Sequence, residues 1–220
     1  MVAINSKNDP ELSDLARWFH LQDPADDVSH VPQPSIQIDP GSICLIAGAS
    51  GSGKTSLLRD LTRTLDHESL VFFDSIRVPH RPCARCFDDT SIDDSLALLS
   101  SVGLAEAATF LKFPDQLSEG QRWRLKLACA LHRARQSNGD TWIVADEFAA
   151  VLDRVTASIV ARTLRLVVDQ SNPNEGKLGA ILATSHDDLQ GALDPELVIT
   201  CDFGARIVRR KRKSLHRMNR

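Results

Sequence analysis

"ICLIAGASGSGKTSLL", Ile43 to Leu58, decides how this chain folds. A short apolar run of buried-strand character enters a glycine-rich loop, and the loop opens a helical pattern. Within it, Gly48 to Thr55 fill every fixed position of the phosphate-binding loop pattern, with four residues between the first glycine and Gly53-Lys54-Thr55. Each residue type has a task. Gly48, Gly51 and Gly53 let the backbone turn so that successive N–H groups converge on one anion, with the small residues Ser50 and Ser52 between them. Lys54 adds a point charge for the β- and γ-phosphates of a nucleotide, and the Thr55 hydroxyl completes a site for Mg²⁺. The strand before and the helix after, which carries Ser56 in its first turn, are the context such a loop requires.

Working outward, Ser35–Ile38 reads as a short strand joined through the Pro40-Gly41 turn to the buried one, a small antiparallel β part at the N-terminal end. Downstream, a helix is expected from Lys54 to about Leu65 and a strand over Leu70–Phe73. Arg77 to Thr90 is turn-rich. Ser91, with Asp94 three residues on, caps a helix reaching Val102, and Leu104–Leu111 forms another short one. "DQLSEGQRWRLKLACAL", Asp115 to Leu131, is a turn followed by a basic amphipathic helix. Its first residues, Ser118, Glu119 and Gly120, offer backbone N–H groups to an anion. Then come a strand (Thr141–Ala145), a helix (about Arg154–Val168), a strand (Ala180–Ala183) and two short strands near Leu197–Thr200 and Ala205–Val208. Strands alternating with helices imply an α/β fold with a mostly parallel central sheet. The helices that interrupt the alternation read as a shortened helical subdomain over about 91–135. The expected organisation is an N-terminal extension (1–34), a folded domain (35–208) and a basic C-terminal tail (209–220).

The apolar runs are strand-length, far short of the ~18–20 residues of a membrane helix, so direct membrane insertion is not expected. Residues 1–35 are polar and proline-containing, without the apolar core of a signal peptide, and a cytoplasmic protein is expected. The net charge of −3 conceals an asymmetry. Of 26 Lys/Arg, seven lie in Arg209–Arg220, "RRKRKSLHRMNR", leaving 19 against 29 Asp/Glu elsewhere. Such a tail is either a solvated terminus or an anchor for an anionic partner such as nucleic acid. The five cysteines, Cys44, Cys83, Cys86, Cys129 and Cys201, are an odd number without a secretion signal, which argues against a disulfide framework.

"TWIVADEF" is an apolar strand ending in two adjacent acids, Asp146 and Glu147. Parallel sheets place ligands at the carboxyl ends of their strands, and neighbouring side chains there point apart, so the two acids take different tasks. Asp146 suits the metal, and Glu147 suits orienting and deprotonating a water. "ILATSHDDL" is a second apolar strand ending in a polar cluster, with His186 two residues after Thr184.

Taken in order, "GASGSGKTSLL", "LSEGQ", "IVADE", "AAVLD" and "ATSH" resemble the motif series of the ABC-type ATPases, a family of P-loop NTPases. Gly48–Ser56 resembles the Walker A motif and Leu117–Gln121 the signature motif. Ile143–Glu147 is similar to the Walker B strand with its catalytic glutamate, Asp153 to the D-loop aspartate and His186 to the switch histidine. The resemblance covers about Ser35 to Ile207. It implies Mg²⁺-dependent ATP hydrolysis, with Gly48, Ser50, Gly51, Ser52, Gly53, Lys54, Thr55 and Ser56 around the phosphates. Thr55 and Asp146 would hold the metal, and Glu147 and His186 would act on the γ-phosphate. Ser118, Gly120, Gln121 and Asp153 would close over ATP held by a second copy in a homodimer.

The chain also departs from that pattern. No glutamine occurs between Gln37 and Gln116, although the family places one after the strand ending near Phe73; Asp74 and His80 lie near that position. Leu117 lies only 63 positions after Lys54, a shorter interval than in transporter subunits. Phe148 stands where a proline usually follows the glutamate, and "RWRLK" follows the signature. These features are closer to soluble, non-transporter members, some of which are fused to an acetyltransferase-like domain. The expected function is a soluble ATPase coupled to an unidentified partner. The alternatives are the ATP-binding subunit of a membrane transporter and a nucleic-acid-associated ATPase anchored through residues 209–220.

Two further features carry alternatives. Trp18, in "ARWFHL", is either an aromatic platform for adenine or a core ring. His80, Cys83 and Cys86 have the spacing of three zinc ligands, with Asp88 or another chain as a fourth, or else form an ordinary reduced loop.

Overall fold

β1 (Ile43–Gly48) is apolar because it lies inside a six-stranded sheet with neighbours on both sides. The structure is a computed structural model and describes residues 36–137, 139–171, 176–202 and 205–210. A boundary between compact units falls after Gln37, and the fold is that of the unit beginning at Ile38. β1 pairs in parallel with β4 (Leu178–Thr184), Ile43 opposite Ala180, and with β5 (Leu197–Asp202), Cys44 opposite Leu197. β3 (Thr141–Ala145) and then β2 (Leu70–Phe72) extend the parallel sheet beyond β4. β6 (Ala205–Arg210) runs antiparallel to β5 at the far edge. The order is β2-β3-β4-β1-β5-β6.

The central strands are buried along most of their length, as parallel strands covered on both faces must be. α1 (Lys54–Thr62) follows β1. Between β2 and β3 lie α2 (Ile92–Ser101), α3 (Ala107–Leu111) and α4 (Glu119–Arg135). α5 (Arg154–Asp169) buries Ala157, Val160, Ala161, Leu164 and Val168 at the spacing of one helical face, and the short α6 (Gln190–Leu193) precedes β5. One hydrophobic cluster runs from the sheet (Ile43, Leu45, Ile143) through α4 (Leu125, Ala128, Leu131) to α2 (Leu98, Leu99). The helices between β2 and β3 therefore share the core of the sheet.

The expected mostly parallel α/β sheet is present, and its antiparallel pair lies at the C-terminal end, between β5 and β6. Among the described residues the small N-terminal β part does not form: Ile36–Ile38 make no strand. The Pro40-Gly41 turn does form, with Ser42 N and Oγ donating to Asp39 O at 3.2 and 2.6 Å. A hairpin on β1 nevertheless has no free edge, because β4 and β5 occupy both sides. α1 ends at Thr62 rather than Leu65; the Thr62 and Thr64 hydroxyls bond Arg59 O and Leu61 O and compete with the helical ladder. The Ser91 cap is present, Oγ accepting from Asp94 N at 3.1 Å.

At Gly179 in β4, a Cβ would collide with the Trp142 ring from β3 and lie 2.9 Å from Ser42 O. Gly179→Ala is expected to lower stability by about 1–3 kcal/mol in urea unfolding, and adding Trp142→Leu should recover part of that loss.

Candidate functional site

The glycine-rich loop leaves the carboxyl end of β1. Gly48 has φ 152°, and a Cβ there would collide with Cys201 O and approach Ser52 Oγ to 2.8 Å, so only glycine fits. Gly53, at φ 90°, is the N-cap of α1, whose first turn contains no acid. Lys54 is largely buried, and its ammonium donates to Gly48 O at 2.9 Å and Ala49 O at 2.8 Å. Ser52 Oγ is buried without a hydrogen-bond partner. A cation, an orphaned hydroxyl and a helix N-terminus free of acids are together the donor set of a phosphate site.

β3 delivers the acids beside this loop. Thr55 Oγ1 donates to Asp146 Oδ2 at 2.6 Å, and Asp146 Oδ1 accepts from Glu147 N at 3.0 Å. The Thr55 hydroxyl and an Asp146 carboxylate oxygen thus lie side by side, a fitting oxygen pair for Mg²⁺. Glu147 is exposed and has φ 48°, a left-handed conformation costing about 1–2 kcal/mol for a residue with a side chain. Hydrogen bonds to the end of β4 hold this turn. Phe148 N donates to Ala183 O at 2.8 Å, and the buried Thr184 Oγ1 donates to Phe148 O at 3.1 Å. Thr184 Oγ1 also accepts from His186 N at 3.1 Å, so one hydroxyl links the acidic turn to the histidine. The His186 ring is partly exposed, with Nδ1 3.9 Å from Asp188 Oδ1. Thr184 escaped the sequence reading; its signal was a polar residue closing an apolar strand.

Ser118 caps α4. Its Oγ accepts from Gln121 N at 3.2 Å, while Gln121 Oε1 accepts from Ser118 N at 3.0 Å. This capping box uses two of the donors at the helix start and leaves the Glu119 and Gly120 N–H groups at the first two helical positions. A Cβ on Gly120 would lie 3.3 Å from Leu152, so LSEGQ adjoins the segment just before Asp153. Asp153 caps α5, accepting from Thr156 N at 3.0 Å. Bonds from the Thr156 side chain and backbone hold its carboxyl below the usual range. The cap is therefore ionised at neutral pH and is lost only as pH falls through that lowered value.

Comparison with known proteins adds the relationship. A family model described as an AAA ATPase domain matches residues 35–196. The aliphatic sulfonates import ATP-binding protein SsuB of Delftia acidovorans is 30% identical over 194 residues, covering 80% of this chain and 72% of that protein. The chain belongs to the ATP-binding cassette ATPases. The cytochrome c biogenesis ATP-binding export protein CcmA of Colwellia psychrerythraea is 28% identical over 199 residues, 77% of this cassette and 84% of that protein. The macrolide export ATP-binding/permease protein MacB of Burkholderia pseudomallei is 30% identical over 177 residues, but the chain spans only 26% of its length. In fold, the cassette resembles the dimeric post-hydrolysis state of the ATP-binding cassette MJ0796 bound to ADP and Pi. The TM-score is 0.58 at 20% identity, covering 80% of this chain and 88% of that one.

In this cassette Phe73 and Asp74 stand in a tight turn directly after β2, near the position of the family glutamine. Lys126 of α4 donates to Asp74 O at 3.3 Å and lies 4.8 Å over the Phe73 ring. Trp18 lies outside the described residues, as do residues 211–220 of the basic tail. Arg209 and Arg210 belong to β6, opposite Val198 and Leu197. Among the described residues no helix is long and apolar enough to cross a membrane.

The zinc trio does not assemble. Among the described residues no group of three His, Cys, Asp or Glu side chains is placed to hold a metal. His80 is exposed, packs on Phe113 with ring centroids 5.2 Å apart and has Nε2 3.4 Å from Asp115. Cys83 and Cys86 turn inward instead, donating to Lys112 O at 3.1 Å and Pro79 O at 3.5 Å. Burial raises both thiols, Cys86 to about 11, so both are protonated at neutral pH in the metal-free chain. The Cys86 thiolate fraction at neutral pH should fall about 100-fold on folding. A thiol reagent is expected to label Cys86 far more slowly in native than in denatured protein, and a chelator should leave the Tm unchanged.

Proposed function

We propose that this cassette binds ATP with Mg²⁺ and hydrolyses it as a nucleotide-sandwich homodimer, passing the cycle to a partner protein. The 2.6 Å bond between Thr55 and Asp146 carries the proposal, because it joins the phosphate loop to the acidic end of β3 next to Glu147. Lys54, the loop N–H groups and the hydroxyls of Ser50, Ser52 and Ser56 hold the phosphates. Thr55 and Asp146 hold Mg²⁺, which when bound offsets charge on the phosphate oxygens. Glu147 orients a water and takes its proton as the oxygen attacks the γ-phosphorus and the bond to the ADP oxygen breaks. His186 donates a hydrogen bond to the γ-phosphate.

Ser118, Gly120, Gln121 and Asp153 serve the nucleotide of the second copy. The N–H groups of Glu119 and Gly120, which the capping box does not use, support this role, as does the dimeric state of the similar MJ0796 cassette. The absent glutamine after β2 and the short interval before the signature support a soluble partner. The names of SsuB and CcmA favour a second reading, in which the chain is the ATP-binding subunit of a transporter. Fractionation separates the two: a native chain held in membranes with an integral protein supports the transporter reading.

Glu147→Gln is expected to lower hydrolysis by about 100-fold or more while retaining ATP binding. With ATP and Mg²⁺ this variant should elute as a stable dimer in size-exclusion chromatography with light scattering. A mutant that stays monomeric at saturating ATP counts against the sandwich.

A further inference from the structure

Three aromatic rings form one continuous contact between segments far apart in sequence. Phe73 follows β2, Trp123 lies in the second turn of α4, and Phe148 directly follows Glu147. The Phe73 and Trp123 centroids are 5.0 Å apart at 41°, and those of Trp123 and Phe148 are 5.4 Å apart, edge to face at 71°. Both distances and tilts fall in the favourable range for aromatic pairs. Phe148 is 1% exposed and Phe73 4%, so the stack is held on both outer sides. Lys126, one turn beyond Trp123, adds a cation over Phe73.

The stack ends at the strained point of the site. A left-handed conformation at a residue with a side chain persists only where its surroundings over-determine it. The Phe148 peptide is tied to Ala183 and Thr184 by hydrogen bonds, while its ring is placed by Trp123. A proline at 148 would provide neither the N–H for Ala183 nor a ring for Trp123. The phenylalanine thus makes a backbone anchor and a side-chain contact at one position.

We infer that Trp123 is a positioning residue for ATP hydrolysis: packed against Phe148, it holds the adjacent Glu147 in its left-handed conformation and ties that carboxylate to the helix carrying LSEGQ. Trp123 acts through Phe148, not on the nucleotide. A movement of α4 therefore changes the placement of the base, and the aromatic stack couples the helix that faces a second copy to hydrolysis within its own chain. The inference rests on Glu147 acting as the base.

The test is single-turnover ATP hydrolysis with parallel equilibrium ATP binding, for Trp123→Ala and Trp123→Phe, each alone and combined with Glu147→Gln. Misplacing the base should make Trp123→Ala about 10- to 100-fold slower, with ATP Kd within about twofold of wild type and the rate largely restored in Trp123→Phe. In the Glu147→Gln background Trp123→Ala should change the residual rate by less than about twofold, because residues acting as a unit are not additive. A merely structural role would slow both backgrounds equally, and that result overturns the inference. Phe148→Leu keeps the N–H to Ala183 and removes the ring; it should show the same rate loss with ATP binding retained, and it decides the matter if Trp123→Ala does not fold. A wild-type rate in Trp123→Ala or Phe148→Leu, with Glu147→Gln inactive, sinks the positioning role alone. A wild-type rate in Glu147→Gln sinks the catalytic reading, and the positioning role with it.

Discussion

A strand paired in parallel on both sides can be extended only through its ends, and β1 is such a strand. The constraint decides much of the molecule. It denies the Pro40-Gly41 turn a hairpin, and it sends the glycine-rich loop out at the carboxyl edge of the sheet. β3 and β4 run in the same direction beside it, so their polar ends emerge at that edge too. Asp146 reaches Thr55 of the phosphate loop, and Glu147 and His186 follow strands that end at the same edge, because parallel strands share one carboxyl edge. The 2.6 Å bond between Thr55 and Asp146, 91 residues apart, is the consequence.

The site combines a rigid floor with one strained residue. Lys54 is tied to the Gly48 and Ala49 carbonyls, and Thr184 secures both the acidic turn and the start of the histidine segment. Glu147 alone among the proposed reacting groups sits at positive φ. Its conformation depends on what holds Phe148, and those holds come from β4 and from α4. Backbone hydrogen bonds and an aromatic contact divide the work of fixing one carboxylate.

The segment between β2 and α4 shows how packing reassigns residues that look chemical in sequence. Cys83 and Cys86 have a metal-like spacing, yet their loop folds both thiols into the apolar core and leaves His80 against Phe113 at the surface. Spacing along the chain states which residues can meet; it does not state which way a loop turns its side chains. Phe73 shows the converse. A residue of no evident chemistry becomes one end of the ring stack because β2 ends beneath α4.

Much was legible in the sequence because the signals were local. The phosphate loop, the Ser91 cap, the buried strands and the acid pair each depend on neighbours within a few residues, and all stand where the pattern put them; Ser118 instead donates its N–H to Gln121. Strand limits at β4 and β5 extended beyond the apolar runs because ladder pairing continues past them. The position of the antiparallel pair, the inward turn of the thiols, the Thr184 link and the Phe73–Trp123–Phe148 stack were not legible. Each is a contact between segments whose proximity follows from strand order, and strand order is settled by which faces and edges are left to cover. By itself the sequence determined the chemistry available at the carboxyl edge of β1. Only the tertiary structure decided that Trp123 of α4 would pack against Phe148, the residue next to that glutamate, because the contact joins segments that strand order brings together.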